Sequence, residues 1–240
     1  MITSPSTSPK RFSVSAIRDF QRCSFYYKLA RVDKVPEERT THHRWAGSVV
    51  HAAFQLAYAQ PLAGAVSSSG RVKTDWNVDN AGTIDDSLEL FDMLWSGQRT
   101  EDDPLVGPNR AQRAYDVMVS DPQMQPPPLS HFAKGNTKAL GKGQRLSGRE
   151  LKEAWGEHFR KMLLGSLEQG LAYPVKEVER EVHYHLGGVP MIGYIDLVLE
   201  DPLGGEVYVD LKSGFGEGHY KLGELKETPS GTTLSQALVF

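Results

Sequence analysis

The last third of this 240-residue chain constrains its fold more than any other feature. It holds the run VKEVEREVHYHL, GG, VPMIGYIDLVLE, DPLGG, EVYVDLKSG. The first segment alternates as a half-covered strand does, and two glycines turn it. The second is a denser apolar strand that reads as buried, and DPLGG turns it into a third. Strands joined by turns this short pair antiparallel. The C-terminal half is therefore a hairpin-linked sheet.

Helical spacing dominates ahead of that sheet. Ser13 or Ser15 caps a helix carrying Ile17 and Phe20, which breaks near Cys23 and resumes with Phe25, Tyr26 and Leu29. Residues 46 to 58 place Val49, Val50, Ala53, Phe54 and Ala57 on one helical face, and Pro61 ends the pattern. Residues 149 to 169 make a long amphipathic helix through Leu151, Trp155, Phe159, Leu163 and Leu167, with Gly170 at its end. Between these, residues 60 to 150 read as an insertion. It contains a short helix at SLELFDMLW, a turn near Pro104 to Pro108, an extended PQMQPPPL linker and the polar loop KGNTKALGKGQRLSG. His42 and His43 read as loop. The fold class is α/β (α+β), a mixed central sheet flanked by helices, in one domain spanning residues 1 to 240.

At 39% apolar and 24% charged residues the chain can bury one sizeable core. No run approaches the roughly 18 apolar residues of a membrane span, and MITSPSTSPKRF has no apolar stretch suited to secretion, so the expected location is cytoplasmic, with no membrane partner. One cysteine, Cys23, excludes an internal disulfide and any site built from several thiols of this chain.

The net charge of -3 argues against a nucleic-acid partner only until its distribution is read. Residues 1 to 60 carry nine Lys or Arg against four acids, and residues 129 to 149 add five with none. Acids cluster instead at Asp85, Asp86, Glu89, Asp92 and Glu101 to Asp103. A chain segregated by sign can meet an anionic polymer.

Chemistry concentrates on the last two strands of the sheet. Asp210 and Lys212 lie two apart, hence on one face about 6.5 Å from each other, between the apolar Val209 and Leu211. Asp196 interrupts the apolar run of the preceding strand. Asp196 and Asp210 stand about equally far from the DPLGG turn and can come together. Two carboxylates ~4 Å apart repel by about 4 kcal/mol at an effective dielectric of 20, so a shared cation with oxygen ligands, Mg or Mn, is the natural compensator. An Asp and a Lys on one strand can equally pair with each other.

These residues fall into a pattern that resembles the RecB-like branch of the PD-(D/E)XK nuclease superfamily, which includes CRISPR-associated adaptation exonucleases. GSVVH (Gly47 to His51) is similar to its G-x-x-x-H motif, GYID (Gly193 to Asp196) to its G-x-x-D, VDLK (Val209 to Lys212) to its D/E-x-K, and SQALVF to its Q-x-x-x-Y, with Gln236 in register and Phe240 in place of the tyrosine. The resemblance covers residues 11 to 58 and 176 to 240 and implies a restriction-endonuclease-like core. It implies that His51, Asp196, Asp210 and the Leu211 carbonyl bind Mg or Mn, that Lys212 orients or deprotonates the attacking water, and that Gln236 positions DNA. The expected function is metal-dependent hydrolysis of DNA, as an exonuclease in recombination, repair or replication, acting on single strands or free ends with a helicase or recombination partner. The alternative is a catalytically inactive DNA-binding or helicase-associated module of the same fold.

In some relatives a cysteine at the position of Cys23 is the first ligand of an iron-sulfur cluster, whose other three cysteines lie beyond the Q-x-x-x-Y motif. This chain has no other cysteine. As given it is expected to hold no cluster, with Cys23 packing as a small apolar residue; otherwise the 240 residues are a piece of a longer chain.

Three further features are discounted. GNTKALGKG departs from a phosphate-binding Walker loop in spacing and in lacking Ser or Thr after its lysine, and reads as a basic loop. His183, His185, Glu179 and Glu181 read as a solvated strand face. Phe25, Tyr26 and Tyr27 read as core.

Overall fold

The computed structural model describes residues 11–33, 35, 42–62, 74–132, 146–211, 226–227 and 233–234. The chain divides into two compact units, one of Met1–Glu38 with Glu179–Ile195 and one of Arg39–Val178 with Asp196–Phe240. The mixed α/β character expected from the sequence is present.

In the first unit α1 spans Val14–Arg22. Ser13 caps it, its hydroxyl accepting the Ala16 N–H at 3.1 Å. The chain breaks at Cys23, whose extended backbone (φ -163°, ψ 107°) ends the helix, and resumes as the short α2, Ser24–Tyr27, followed by a π-helical turn, Lys28–Val32. The far ends of β3 (Val175–Leu186) and β4 (Val189–Glu200) complete the unit. Gly187 and Gly188 join them at φ 57° and 82°, the left-handed pair that a tight two-residue hairpin demands and that side chains resist. Phe12 bridges to β4, its N–H donating to Pro190 and its carbonyl accepting from Ile192.

Two expectations are corrected here. Phe20, Phe25 and Tyr26 are 56%, 66% and 37% exposed, so these aromatics are not core; in α1 only Ala16 is buried, and in α2 nothing is. Nor does Cys23 pack: it is exposed, because it occupies the break between helices, where its sulfur accepts the Tyr26 N–H at 3.4 Å.

Among the described residues the second unit is built on four α-helices. α3 (His42–Leu56) buries Trp45, Ala46, Val49, Val50, Ala53, Phe54 and Leu56. His42 and His43 are its first turn rather than loop; their rings stack on each other (4.2 Å) and on Trp155 (4.9 and 4.8 Å), and that packing extends the helix past the predicted start. α4 (Ile84–Ser96), α5 (Arg110–Met118) and α6 (Gly148–Gln169) each open on a reciprocal capping box, Thr83 with Asp86, Asn109 with Gln112 and Ser147 with Glu150. The segment read as an insertion thus supplies α4 and α5, and their Leu90, Phe91, Leu94, Ala111 and Ala114 belong to the same core as α3 and α6. PQMQPPPL is likewise not wholly extended, since Pro122–Met124 and Leu129–His131 are single 3-10 turns. A two-stranded ladder pairs β1 (Gln60–Leu62) with β2 (Asp75–Asn77).

The near ends of β3 and β4, together with β5 (Glu206–Val209), form an antiparallel sheet in the order β3-β4-β5. Its β4–β5 register is set by the turn at 201 to 205. There Asp201 takes the Leu203 N–H on its side chain at 2.9 Å and the Gly204 N–H on its carbonyl at 2.8 Å, while Gly204 adopts φ 85°. Leu197 then faces Val209, Val198 faces Tyr208, and Leu199 faces Val207. Leu197, Leu199, Val209 and Leu211 are fully buried in the helical core. Toward the C-terminus Lys226–Glu227 (β6) pairs with Thr233–Leu234 (β7). Among the described residues no helix is long and apolar enough to cross a membrane.

A candidate metal and nuclease site on adjacent strands

Strand parity positions the acids. Because Leu197 and Leu199 of β4 and Val209 beyond them on β5 face the helices, Asp196, Val198, Tyr208 and Asp210 project from the opposite face. Continuing the register one step past Leu197 and Val209 sets Asp196 across from Asp210. Directly opposed residues in such a pair stand about 4.5–5.5 Å apart at Cβ.

A hydrogen bond fixes this junction. The Asp196 carboxylate accepts the main-chain N–H of Leu211 through Oδ2 at 2.6 Å. β5 has ended at Val209, so this donor has left the strand ladder. A buried amide without a partner is costly, and the carboxylate supplies one. Asp196 is half-buried and Leu211 fully buried, but Asp210 is exposed. The expectation that Asp210 lies within a core-crossing strand is corrected: it stands just past the strand's end, with its side chain in solvent.

His51 lies within α3, half-buried among the buried Val49, Val50, Ala52 and Ala53. Among the described residues no three His, Cys, Asp or Glu side chains converge closely enough to hold a metal ion, so His51 does not complete a set with Asp196 and Asp210. Lys212, Gln236, Phe240 and the GNTKALGKG loop lie outside the described residues.

The donors present still suit a hard cation. Mg is commonly held by one or two carboxylates and keeps several waters, so two opposed aspartates and a nearby main-chain carbonyl are a sufficient protein contribution. Among the described residues the remaining histidines and glutamates show no such arrangement. His183 and His185 are exposed on β3, with His183 Nε2 2.6 Å from Glu181, which also accepts the Tyr194 hydroxyl at 3.1 Å. Glu179 has φ 52°, a left-handed backbone uncommon for a residue with a side chain.

A family model of the PD-(D/E)XK nuclease superfamily matches residues 11–237. The chain belongs to that superfamily. The matched range includes residues 60 to 150, whose α4 and α5 contribute to the shared core. No curated protein and no solved structure matches the chain. Membership in the PD-(D/E)XK superfamily gives the opposed aspartates their context: the sequence reading expects them to be the acids of its G-x-x-D and D/E-x-K motifs.

The Asp196 to Leu211 bond is the feature that motif reading overlooked. The turn spacing signalled it, since equal distances from the DPLGG turn oppose residues 196 and 210 and leave the next amide, that of Leu211, beyond the last ladder bond.

Proposed function

We propose that this chain is a Mg- or Mn-dependent deoxyribonuclease of the RecB-like branch, working as an exonuclease in recombination, repair or replication. The observation that carries the proposal is the opposition of Asp196 and Asp210 in a chain of this superfamily, with Asp196 tied to the Leu211 amide. In this reading Asp196, Asp210 and the Leu211 carbonyl hold the cation, with His51 as a further ligand. Phosphodiester hydrolysis needs a hydroxide near neutral pH and countercharge on the phosphate; a bound divalent cation supplies both.

The chain's own groups do the rest. Asp196 anchors the Leu211 backbone, which keeps Asp210 at the strand end where an extended substrate can reach it. Lys212, two residues on, takes the role of orienting the water and donating positive charge to the phosphate. Gln236 contacts the DNA. Solvent exposure of Asp210 leaves the site open to a polymer.

A second reading, a DNA-binding or helicase-associated module without turnover, is favoured by one observation, that no three-ligand group forms among the described residues. Incubation of end-labelled linear DNA with Mn separates the two. The nuclease reading expects degradation that Asp210→Asn and Lys212→Ala abolish; the module expects DNA binding that needs no metal and produces no fragments.

A further inference from the structure

A hollow of about 610 Å³ opens in the second unit, within the ~300–1,000 Å³ of small-ligand sites, and neither Asp196 nor Asp210 lines it. Its walls are the residues that follow α3, the start of α4 and the stretch leading from α6 into β3. Tyr58, Leu167, Leu171, Tyr173 and Val175 supply rings and apolar surface, and no lining residue carries a charge. The Tyr58 ring stands against Phe54, with centroids 5.2 Å apart, so it is held in place. Burial raises the pKa of its hydroxyl, which therefore stays neutral at pH 7.

Two helix ends meet at this hollow, and their dipoles oppose each other. α4 brings a positive end at Thr83 and Ile84, and α6 a negative end at Leu167 and Gly170. Neighbouring groups decide between them. Asp86 already answers the α4 end, its carboxylate accepting the Thr83 N–H at 2.8 Å and the Thr83 hydroxyl at 2.9 Å, and Asp85 adds a second negative charge to that turn. The α6 end has no such answer. Its last turn holds Glu168 and no basic residue. Gly170 returns its N–H to the Ser166 carbonyl at 3.1 Å, and among the described residues no donor reaches the carbonyls of Leu167, Glu168 or Gln169. Lys176, the next cation along the chain, is paired with Glu206 at 2.7 Å. Neutral rings, unanswered carbonyls and flanking acids all favour a positive guest. An anion finds no Lys, Arg or His on these walls.

We infer that this hollow binds a small organic ammonium ion with an apolar or aromatic body. Its N–H groups donate to the terminal carbonyls of α6, its charge lies against the rings of Tyr58 and Tyr173, and its body covers Leu167, Leu171 and Val175. The site goes beyond the nuclease reading and shares no residue with it.

The test titrates the full chain, free of divalent metal at pH 7, with phenethylammonium, followed by saturation-transfer NMR. Two analogues, 2-phenylethanol and 3-phenylpropionate, keep the ring and replace the positive charge by none or by a negative one. Expected is saturable binding of the ammonium, tighter than that of the alcohol by roughly two- to thirty-fold, with the carboxylate weakest. Tyr173→Ala should weaken it by a factor in the same range, whereas Tyr58→Phe should retain it, because phenylalanine keeps the ring face. Ala172 is an exposed lining residue, so Ala172→Trp fills the hollow without entering the core and should abolish binding. Asp210→Asn should bind the ammonium as wild type does. The inference is overturned if the alcohol or the carboxylate binds as tightly as the ammonium, if no binding saturates, or if either Tyr173→Ala or Ala172→Trp leaves the affinity unchanged. Loss of binding in Asp210→Asn would place the ammonium at the nuclease acids and overturn it too.

Discussion

The Asp196 carboxylate receives the N–H of Leu211 at 2.6 Å, and through that bond a side chain on β4 holds the backbone at the point where β5 stops. Asp196 therefore has two separable duties, one structural and one electrostatic. An asparagine can perform the first, because its amide oxygen accepts a hydrogen bond, but it lacks the charge for the second.

Asp196→Asn is accordingly expected to melt close to wild type while losing cation-dependent cutting. Asp196→Ala orphans a buried amide at a cost of about 1–3 kcal/mol and loses both. Differential scanning calorimetry beside an activity assay checks the split. Equal melting losses in the two variants would contradict the structural duty.

Asp210→Asn is expected to leave stability unchanged or slightly raised, since it removes a charge facing Asp196 without breaking the Leu211 bond. Urea denaturation of the metal-free protein measures it. A clear destabilisation would mean that the Asp210 charge is compensated in the fold rather than opposed by Asp196.

His42 gives a pH dependence. Burial, with His43 and His131 close by, lowers its pKa from 6.5 to about 4. Its Nε2 and the Nδ1 of His131 are buried without hydrogen-bond partners among the described residues. The unfolded chain binds a proton more readily than the folded one between these values, so stability is full above pH 6.5 and falls as pH drops toward 4. After screening of a partly exposed ring the loss is about 1–2 kcal/mol. Burial lowers His43 and His158 as well, adding in the same direction. Urea midpoints from pH 7.5 to 4.5 should show the decline, and His42→Gln should flatten it; an unchanged slope in that variant would contradict the assignment.

Two glycines of α6 separate packing from helix propensity. A Cβ at Gly156 would sit 2.6 Å from Trp95 Nε1 in the core, whereas one at Gly165 meets nothing within 4 Å. Gly165→Ala should stabilise by ~0.5–1 kcal/mol, and Gly156→Ala should destabilise by ~1–3 kcal/mol despite the same gain in propensity. Paired thermal melts decide it, and two stabilised variants would contradict the packing of Trp95 on α6.

The hairpin was the most legible part of the sequence. β3 and β4 fall where the alternation and the GG pair place them, because a two-residue turn leaves no choice of register, and α6 starts one residue before its expected range and ends at Gly170. Periodicity was blind to what covers a face. Phe20 and Phe25 have the spacing of core residues and are exposed, while α4 and α5 looked like insertion and supply core. The opposition of Asp196 and Asp210 followed from counting to the turn, but Asp210's exposure depends on β5 stopping after four residues, which no local pattern announces. The position of His51 relative to the acids is a long-range property that no local sequence pattern carries.

The most direct measurement is the release of fragments from end-labelled linear DNA by the wild-type chain in Mn, beside Asp210→Asn at matched concentration and melting temperature. Cation-dependent degradation by wild type, absent without metal and reduced at least a hundred-fold in the variant, corresponds to about 2.7 kcal/mol of lost transition-state stabilisation and is the predicted result. Equal degradation by both proteins, or none by either while DNA is still bound, would contradict the account.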